Sequence, residues 1–357
     1  MIFEESVFTY SQHMTISDLG YTESLAAFRA EENLEGLEVG RVISEHKERY
    51  VIKTPYDEYE AELMGNLRFA AESRYDIPAV GDWLAFSEYD AGKALIHAVY
   101  PRHSIIERQA VGKAGQVQII ATNIDYGLIV QAVDRDFNLN RLERYLTICN
   151  ASKVEPLIVL SKIDLIDEAE LQDIIGQIQQ RITDTSIITV SNMTTGYDQL
   201  KPMIKVGKTY CLLGSSGVGK STLINNLAGT KLMETGAISS AVNKGRHVTS
   251  HRELIVLESG GILIDNPGMR EVGIADTTSG LEVTFEAILE YAEHCKFGDC
   301  THTHEKGCAI LEAVESGEID EGSYDNYRKM EKEKMHFESD AQERKKKDKD
   351  LGKLIKN

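Results

Sequence analysis

Residues 214 to 222 read Gly-Ser-Ser-Gly-Val-Gly-Lys-Ser-Thr, a spacing suited to holding a chain of phosphates. Glycines at 214, 217 and 219 let successive backbone N–H groups turn inward, and a helix starting just beyond adds the partial positive charge of its N-terminus. Gly214, Ser215, Ser216, Gly217, Val218, Gly219, Lys220, Ser221 and Thr222 are therefore expected to cradle a nucleoside triphosphate. Lys220 is expected to reach the β- and γ-phosphates, and Ser221 to give its hydroxyl to Mg²⁺. The flanks agree: Tyr210–Leu213 is apolar enough for a buried strand, and Leu223–Leu227 opens a helix.

Four other stretches and one threonine carry chemistry. Ser161-Lys-Ile-Asp164 follows the apolar run Pro156–Leu160. The Asp164 carboxylate can accept two parallel hydrogen bonds from guanine N1–H and the 2-amino group, a pair that adenine cannot offer. Lys162 would lay its methylenes along the base, with Ile163 completing the loop. Ser161 stands where such loops usually carry Asn, so one supporting amide is lost. The short Ser191-Asn-Met193 follows the next strand, and Ser191 joins the guanine-site candidates. In Asp265-Asn-Pro-Gly268, Asp265 is expected to hold Mg²⁺ through water and Gly268 to donate its N–H to the γ-phosphate. Thr249 is the best candidate for a second hydroxyl on Mg²⁺, a plain turn threonine being the alternative. Finally, Cys295, Cys300, His302 and Cys308 offer three thiolates and an imidazole, the closed tetrahedral set of a structural zinc site. Spacing alone would let His304 replace His302. Cys149 and Cys211 sit in apolar patterns and are expected in the core.

These groups need elements to position them. Residues 1–35 are acidic with a weak helical pattern, and no function is assigned to them. Between Leu37 and Tyr100 come five short runs, Leu37–Ser44, Tyr50–Thr54, Tyr59–Met64, Asp82–Phe86 and Ala94–Tyr100, which suggest a five-stranded OB-fold barrel. Trp83, the single tryptophan, is expected to anchor its core more than to stack on a base. Strand candidates Val117–Thr122, Tyr126–Val133, Pro156–Leu160 and Ser186–Val190 then alternate with helices Leu139–Cys149, Glu168–Arg181 and Tyr197–Ile204, the signature of a parallel α/β sheet. After the phosphate-binding stretch, 234–246 reads as a loop, and Glu253–Leu257 and Gly261–Ile264 as two more strands.

Composition narrows the class. A chain of 357 residues, 42% hydrophobic, has room for two or three domains. No apolar run approaches the roughly 18 residues of a membrane helix. Nor does the N-terminus carry a signal peptide's basic start and apolar core, so a cytoplasmic place is expected and no membrane partner. The formal net charge of −18 disfavours nucleic acid over most of the surface, yet residues 328–357 hold eleven Lys/Arg against seven Asp/Glu. Any electrostatic footprint for RNA is therefore local.

The order of the pieces is informative. GTPases ordinarily run phosphate loop, switch threonine, DxxG, then the guanine loop and the short serine loop, whereas here the last two come first. The chain reads as circularly permuted. This order, the barrel with Val80-Gly-Asp-Trp-Leu84, Arg108-Gln-Ala at the junction and the cysteine cluster together resemble the RsgA family of small-ribosomal-subunit biogenesis GTPases. The resemblance covers about 37 to 325. It implies an extension at 1–35, an OB-fold domain at 36–106, a permuted G domain at 107–276, and a zinc-binding helical domain with a basic tail at 277–357.

It also favours His302 over His304 as ligand, and it assigns water activation to His247, because Met269 stands where Ras-like enzymes carry glutamine. Lys220 and Gly268 complete the expected catalytic set. The implied function is GTP hydrolysis to GDP stimulated by the small subunit and its rRNA, by a chain expected to be monomeric. A nucleotide-gated rRNA-binding scaffold with little turnover is the alternative.

Overall fold

The computed structural model describes residues 14–46, 49–110, 116–134, 137–191, 195–232, 253–265 and 278–355, with side chains in the last stretch described for 279–340. The chain begins with a 3₁₀ turn at Ser17–Leu19 and helix α1 (Glu23–Glu31), followed by β1 (Glu38–His46), β2 (Arg49–Lys53) and β3 (Glu58–Leu63). A short helix α2 (Gly65–Ala70) leads into β4 (Trp83–Asp90) and β5 (Lys93–Val99). These five strands pair in the order β1-β2-β3-β5-β4, with β4 closing back on β1. Only the β3–β5 pairing is parallel. That is the expected OB-fold barrel. A bulge between Val42 and Ser44 bends β1 so that it can serve both neighbours. Gly40 leaves the room this needs, since a Cβ there would meet Ile52 Cγ2 at 2.3 Å. Tyr50, Ile52, Leu84, Phe86 and Ile96 fill the interior.

Next come β6 (Ile105–Gln109), β7 (Val117–Thr122), β8 (Tyr126–Ala132), α3 (Leu139–Ala151), β9 (Glu155–Ser161), α4 (Glu168–Arg181) and β10 (Ser186–Val190). The single turn α5 (Tyr197–Leu200) precedes β11 (Thr209–Leu213) and α6 (Lys220–Ala228). The hairpin strands β12 (Glu253–Val256) and β13 (Ile262–Asp265) complete the sheet. Its order is β10-β9-β8-β11-β13-β12, parallel except for the last strand. The expectation for Val117–Thr122 needs correction. That strand pairs antiparallel with Ile105–Gln109 in a separate two-stranded ribbon and takes no part in the parallel sheet. Its alternation matched either role, and a partner strand around Arg108 carried too little apolar pattern to be seen. The helix expected over Tyr197–Ile204 is also shorter, giving way to a 3₁₀ turn at Lys201–Met203 with Pro202 at its start.

Helices α7 (Thr278–Thr284), α8 (Glu286–Ala292), α9 (Ala309–Ser316) and α10 (Glu321–Ile355) form the C-terminal part. Phe285, Ile288, Ile310, Tyr327 and Met330 make its small core. Among the described helices none is long and apolar enough to cross a membrane.

A buried cation joins the first two parts. Arg41, 1% exposed, donates to the carbonyls of Leu19, Gly81 and Asn123 at 2.8, 3.1 and 3.0 Å. Its three partners come from the N-terminal turn, the barrel and the entry to β8. Burial lowers its pKa to about 10, with Asp125 and Asp82 opposing, so the guanidinium stays charged at neutral pH. Its charge also lies 5.7 Å over the ring of Trp83, itself buried under Tyr21 as a core anchor. Residues 14–35 thus pack on the barrel, and through Arg41 the Leu19 carbonyl is tied to the entry to β8, a contact that the weak helical pattern did not disclose.

Candidate nucleotide and metal sites

The parallel strands all present their C-terminal ends to one edge of the sheet, where ligands of open α/β folds bind. Ser161 lies beside Ala132 of β8 and Val190 of β10, while Asp265 lies beside Leu212 of β11. Sequence segments from 134 to 265 therefore meet at one place. β11 is buried throughout, as the strand carrying a phosphate loop must be. Behind the loop there is no space for a side chain at 214, where a Cβ would sit 2.4 Å from Val130 O. Gly217 and Gly219 adopt φ of 83° and 97°, the left-handed turn that aims N–H groups at the cradle. Gly219 caps α6, so Ser221 and Thr222 occupy the first turn.

Lys220 Nζ donates to Gly214 O and Ser215 O at 2.7 and 2.8 Å, which keeps the ammonium inside the curl of the loop. Burial pushes its pKa below the ordinary lysine value and the Asp265 carboxylate opposes this. The two groups thus feel each other across the site.

The guanine-loop candidates stand two strands further along, with β8 between them. Ser161, 5% exposed, donates its hydroxyl to Val218 O in the phosphate loop at 2.5 Å. The missing amide is therefore replaced by a hydroxyl tether between the two loops. Lys162 has left-handed backbone angles, φ 61° and ψ 31°, and opens the 3₁₀ turn containing Ile163 and Asp164. Asp164 is exposed at its tip. Lys162 Nζ pairs with Asp134 Oδ2 at 2.9 Å, a partner that belongs to no motif. Ser191 is buried and its Oγ accepts the Thr195 N–H at 3.0 Å, closing the serine loop on itself. His247, Thr249 and Gly268 lie outside the described residues.

In the C-terminal part, the side-chain ligand atoms of Cys295, Cys300, His302 and Cys308 all lie within 4.8 Å of one another. His302 Nδ1 is 3.6 Å from Cys295 Sγ and 3.5 Å from Cys308 Sγ, and those two sulfurs are 3.9 Å apart. Tetrahedral bonds of about 2.3 Å to sulfur and 2.0–2.1 Å to nitrogen require S···S near 3.8 Å and S···N near 3.5 Å. The donor set thus fits a metal ion. His304 turns away and its Nδ1 faces Thr303 Oγ1 at 2.8 Å. Tyr324 of α10 donates its hydroxyl to His302 O, steadying a histidine held at φ 56°.

Comparison with known proteins places this geometry. The RsgA GTPase family profile matches residues 99–275. Small ribosomal subunit biogenesis GTPase RsgA of Opitutus terrae is 40% identical over 335 residues, covering 90% of this chain and 90% of that one. Among solved structures, YjeQ from Thermotoga maritima superposes with a TM-score of 0.60 at 26% identity, over 82% of this chain and 96% of that one. A structure described as YloQ, a circularly permuted GTPase, has the same fold, with a TM-score of 0.57 at 24% identity over 86% of this chain and 96% of that one. With the candidate phosphate and guanine loops at one sheet edge, and likeness over nine-tenths of its length, the chain belongs to the RsgA family of GTPases.

Proposed function

We propose that the protein is a cytoplasmic, monomeric GTPase that docks on the small ribosomal subunit and its rRNA, assists late maturation, and leaves when GTP has become GDP. The observation that carries this is the hydroxyl tether of Ser161 to Val218, which ties the loop after β9 to the loop after β11 and supports reading them as the base-reading and phosphate halves of one site. Relatives named as small ribosomal subunit biogenesis GTPases support the choice of partner. In this reading Asp164 selects guanine, with Ser161, Lys162, Ile163 and Ser191 around it. The phosphates lie on residues 214–222, with Lys220 countering charge that develops during hydrolysis. Ser221, Asp265 and Thr249 hold Mg²⁺, which bridges and neutralises the phosphates. His247 positions the water, and Gly268 senses the γ-phosphate.

Zinc suits a site of three thiolates and one imidazole with no position left open. We place the barrel at 36–106, the permuted G domain at 107–276 and the metal-bearing domain at 277–357, the first division falling inside β6. Met269 keeps a second reading in play, a GTP-gated rRNA-binding scaffold with little turnover, because methionine cannot orient water.

One assay separates the readings: hydrolysis of GTP and of ATP, with and without purified small subunits. GTP turnover that rises with the subunit is expected. Tight GTP-dependent docking without turnover favours the scaffold, and a preference for ATP removes both.

A further inference from the structure

We infer that Asp134 is a positioning residue for guanine, holding the base-reading loop in its binding conformation through Lys162. The inference rests on the proposed guanine site and adds a residue that no loop of that site contains. Asp134 comes two residues after the end of β8, the strand lying between β9, which carries the proposed guanine loop, and β11, which carries the proposed phosphate loop. Its Oδ2 meets Lys162 Nζ at 2.9 Å, with side chains only 25% and 19% exposed. That is drier than an ordinary surface pair, so the attraction is less screened.

Lys162 needs such a partner for two reasons. Its backbone holds a left-handed conformation that a residue with a Cβ adopts reluctantly, so neighbouring contacts must keep it there. The end of β8 supplies them: Val133 N–H donates to Ser161 O at 3.1 Å, and the Asp134 carboxylate takes the ammonium. The lysine stem, moreover, has four flexible carbons, and a stem left in solvent would have to be ordered each time a base bound. Anchored at Asp134, it is ordered beforehand. Ser161 fixes the start of the loop to the phosphate loop, and Asp134 fixes the next residue to the strand between them.

Calorimetric titration of the full-length chain with GDP, ADP and inorganic tripolyphosphate tests this in Asp134→Asn, Asp134→Glu, Lys162→Met and the Asp134→Asn/Lys162→Met double variant. Asp134→Asn is expected to weaken GDP about tenfold while tripolyphosphate binding is unchanged, because only the base-reading half is loosened. Asp134→Glu keeps the carboxylate and is expected to retain most of the affinity. In the Lys162→Met background, Asp134→Asn should have almost no further effect. The inference is overturned if GDP affinity survives Asp134→Asn, if tripolyphosphate affinity falls in step with it, or if the loss persists without the ammonium. A wild-type chain that prefers GDP no more than ADP overturns the guanine-site reading itself, and this inference with it.

Discussion

Arg144 and Glu333 stand 189 positions apart in the chain and form a two-pronged ion pair, with N···O distances of 2.7 and 2.9 Å. The pair joins α3 of the G domain to α10 of the C-terminal part. At the neighbouring position, the buried Glu143 carboxylate accepts Ser323 Oγ at 2.7 Å and Asn326 Nδ2 at 2.6 Å. Gly280 of α7 lies so close to α3 that a Cβ there would be 2.3 Å from Thr147 O. On its other side α3 meets the phosphate loop: burial pushes the Tyr145 phenol up, and Ser215 is the group that opposes the shift most. One helix therefore packs on the C-terminal part and lies close to the loop after β11.

Breaking the Glu143 contacts should loosen that docking more than breaking the ion pair. Glu143→Leu takes the acceptor from Ser323 Oγ and from one N–H of Asn326, whose Nδ2 keeps Asn140 O, a cost of about 1–3 kcal/mol for each lost bond. A double-mutant cycle on Arg144→Ala and Glu333→Ala should return a coupling of about 1 kcal/mol. Thermal or denaturant unfolding gives both numbers, and proteolysis of the C-terminal part should speed up in Glu143→Leu first.

Docking should also weaken as pH rises. Burial holds the Glu143 carboxyl above its ordinary value, against the opposing effects of Ser323, Asn326 and Arg181, while Asp320 adds to it. A carboxyl raised on folding keeps its proton longer in the folded chain. Between the ordinary value near 4.3 and the raised one, the unfolded chain therefore holds fewer protons, and stability falls with increasing pH. Melting temperature followed from pH 4 upward should show this slope, and Glu143→Gln should flatten it.

Lys220→Ala should abolish useful nucleotide binding without unfolding the domain. Among the described residues the ammonium donates to the Gly214 and Ser215 carbonyls, whereas its charged contacts to phosphate are each worth about 1.5–3 kcal/mol. A loss of 30-fold or more in GDP affinity is expected at an unchanged melting temperature. Retained affinity would refute the phosphate-loop assignment.

Stripping the metal should act on the C-terminal part alone. The loop between α8 and α9 is held by Cys295, Cys300, His302 and Cys308, with few apolar residues to replace them. Metal analysis is expected to find one zinc per chain, and a strong chelator or Cys300→Ser should expose this loop to protease while GDP still binds. Loss of GDP binding at the same chelator concentration would mean that the site supports the G domain as well.

Truncation should begin later than the charge run suggests. Met330 and Phe337 of α10 are buried, so the docked part of the helix runs past 328. Removing 342–357, which holds seven basic and three acidic residues, is the cleaner test. Affinity for the small subunit should drop, and the slope of log affinity against log salt should become shallower by up to about 3 units. An unchanged slope would make the basic end a bystander.

Much of this site was legible before folding because each loop follows its own strand. Glycines at 214, 217 and 219, the Asp at 164 and the cysteine spacing are local chemistry, and local chemistry is written in order along the chain. The barrel was legible for the same reason, as short apolar alternations between turns. Pairing was not. Val117–Thr122 alternates as a strand of either kind would, and only the three-dimensional neighbour, Ile105–Gln109, assigns it to the ribbon.

By itself, then, the sequence set out the candidate nucleotide loops, the permuted order of the parts and a cluster of three cysteines with His302 or His304 that could hold a metal. Tertiary structure decided what depends on residues far apart: Ser161 reaching Val218, Asp134 reaching Lys162, Arg41 gathering three segments, and α3 packing on the C-terminal part. Such contacts have no signature in spacing, because a carboxylate or guanidinium looks the same in sequence whether it meets water or a buried partner.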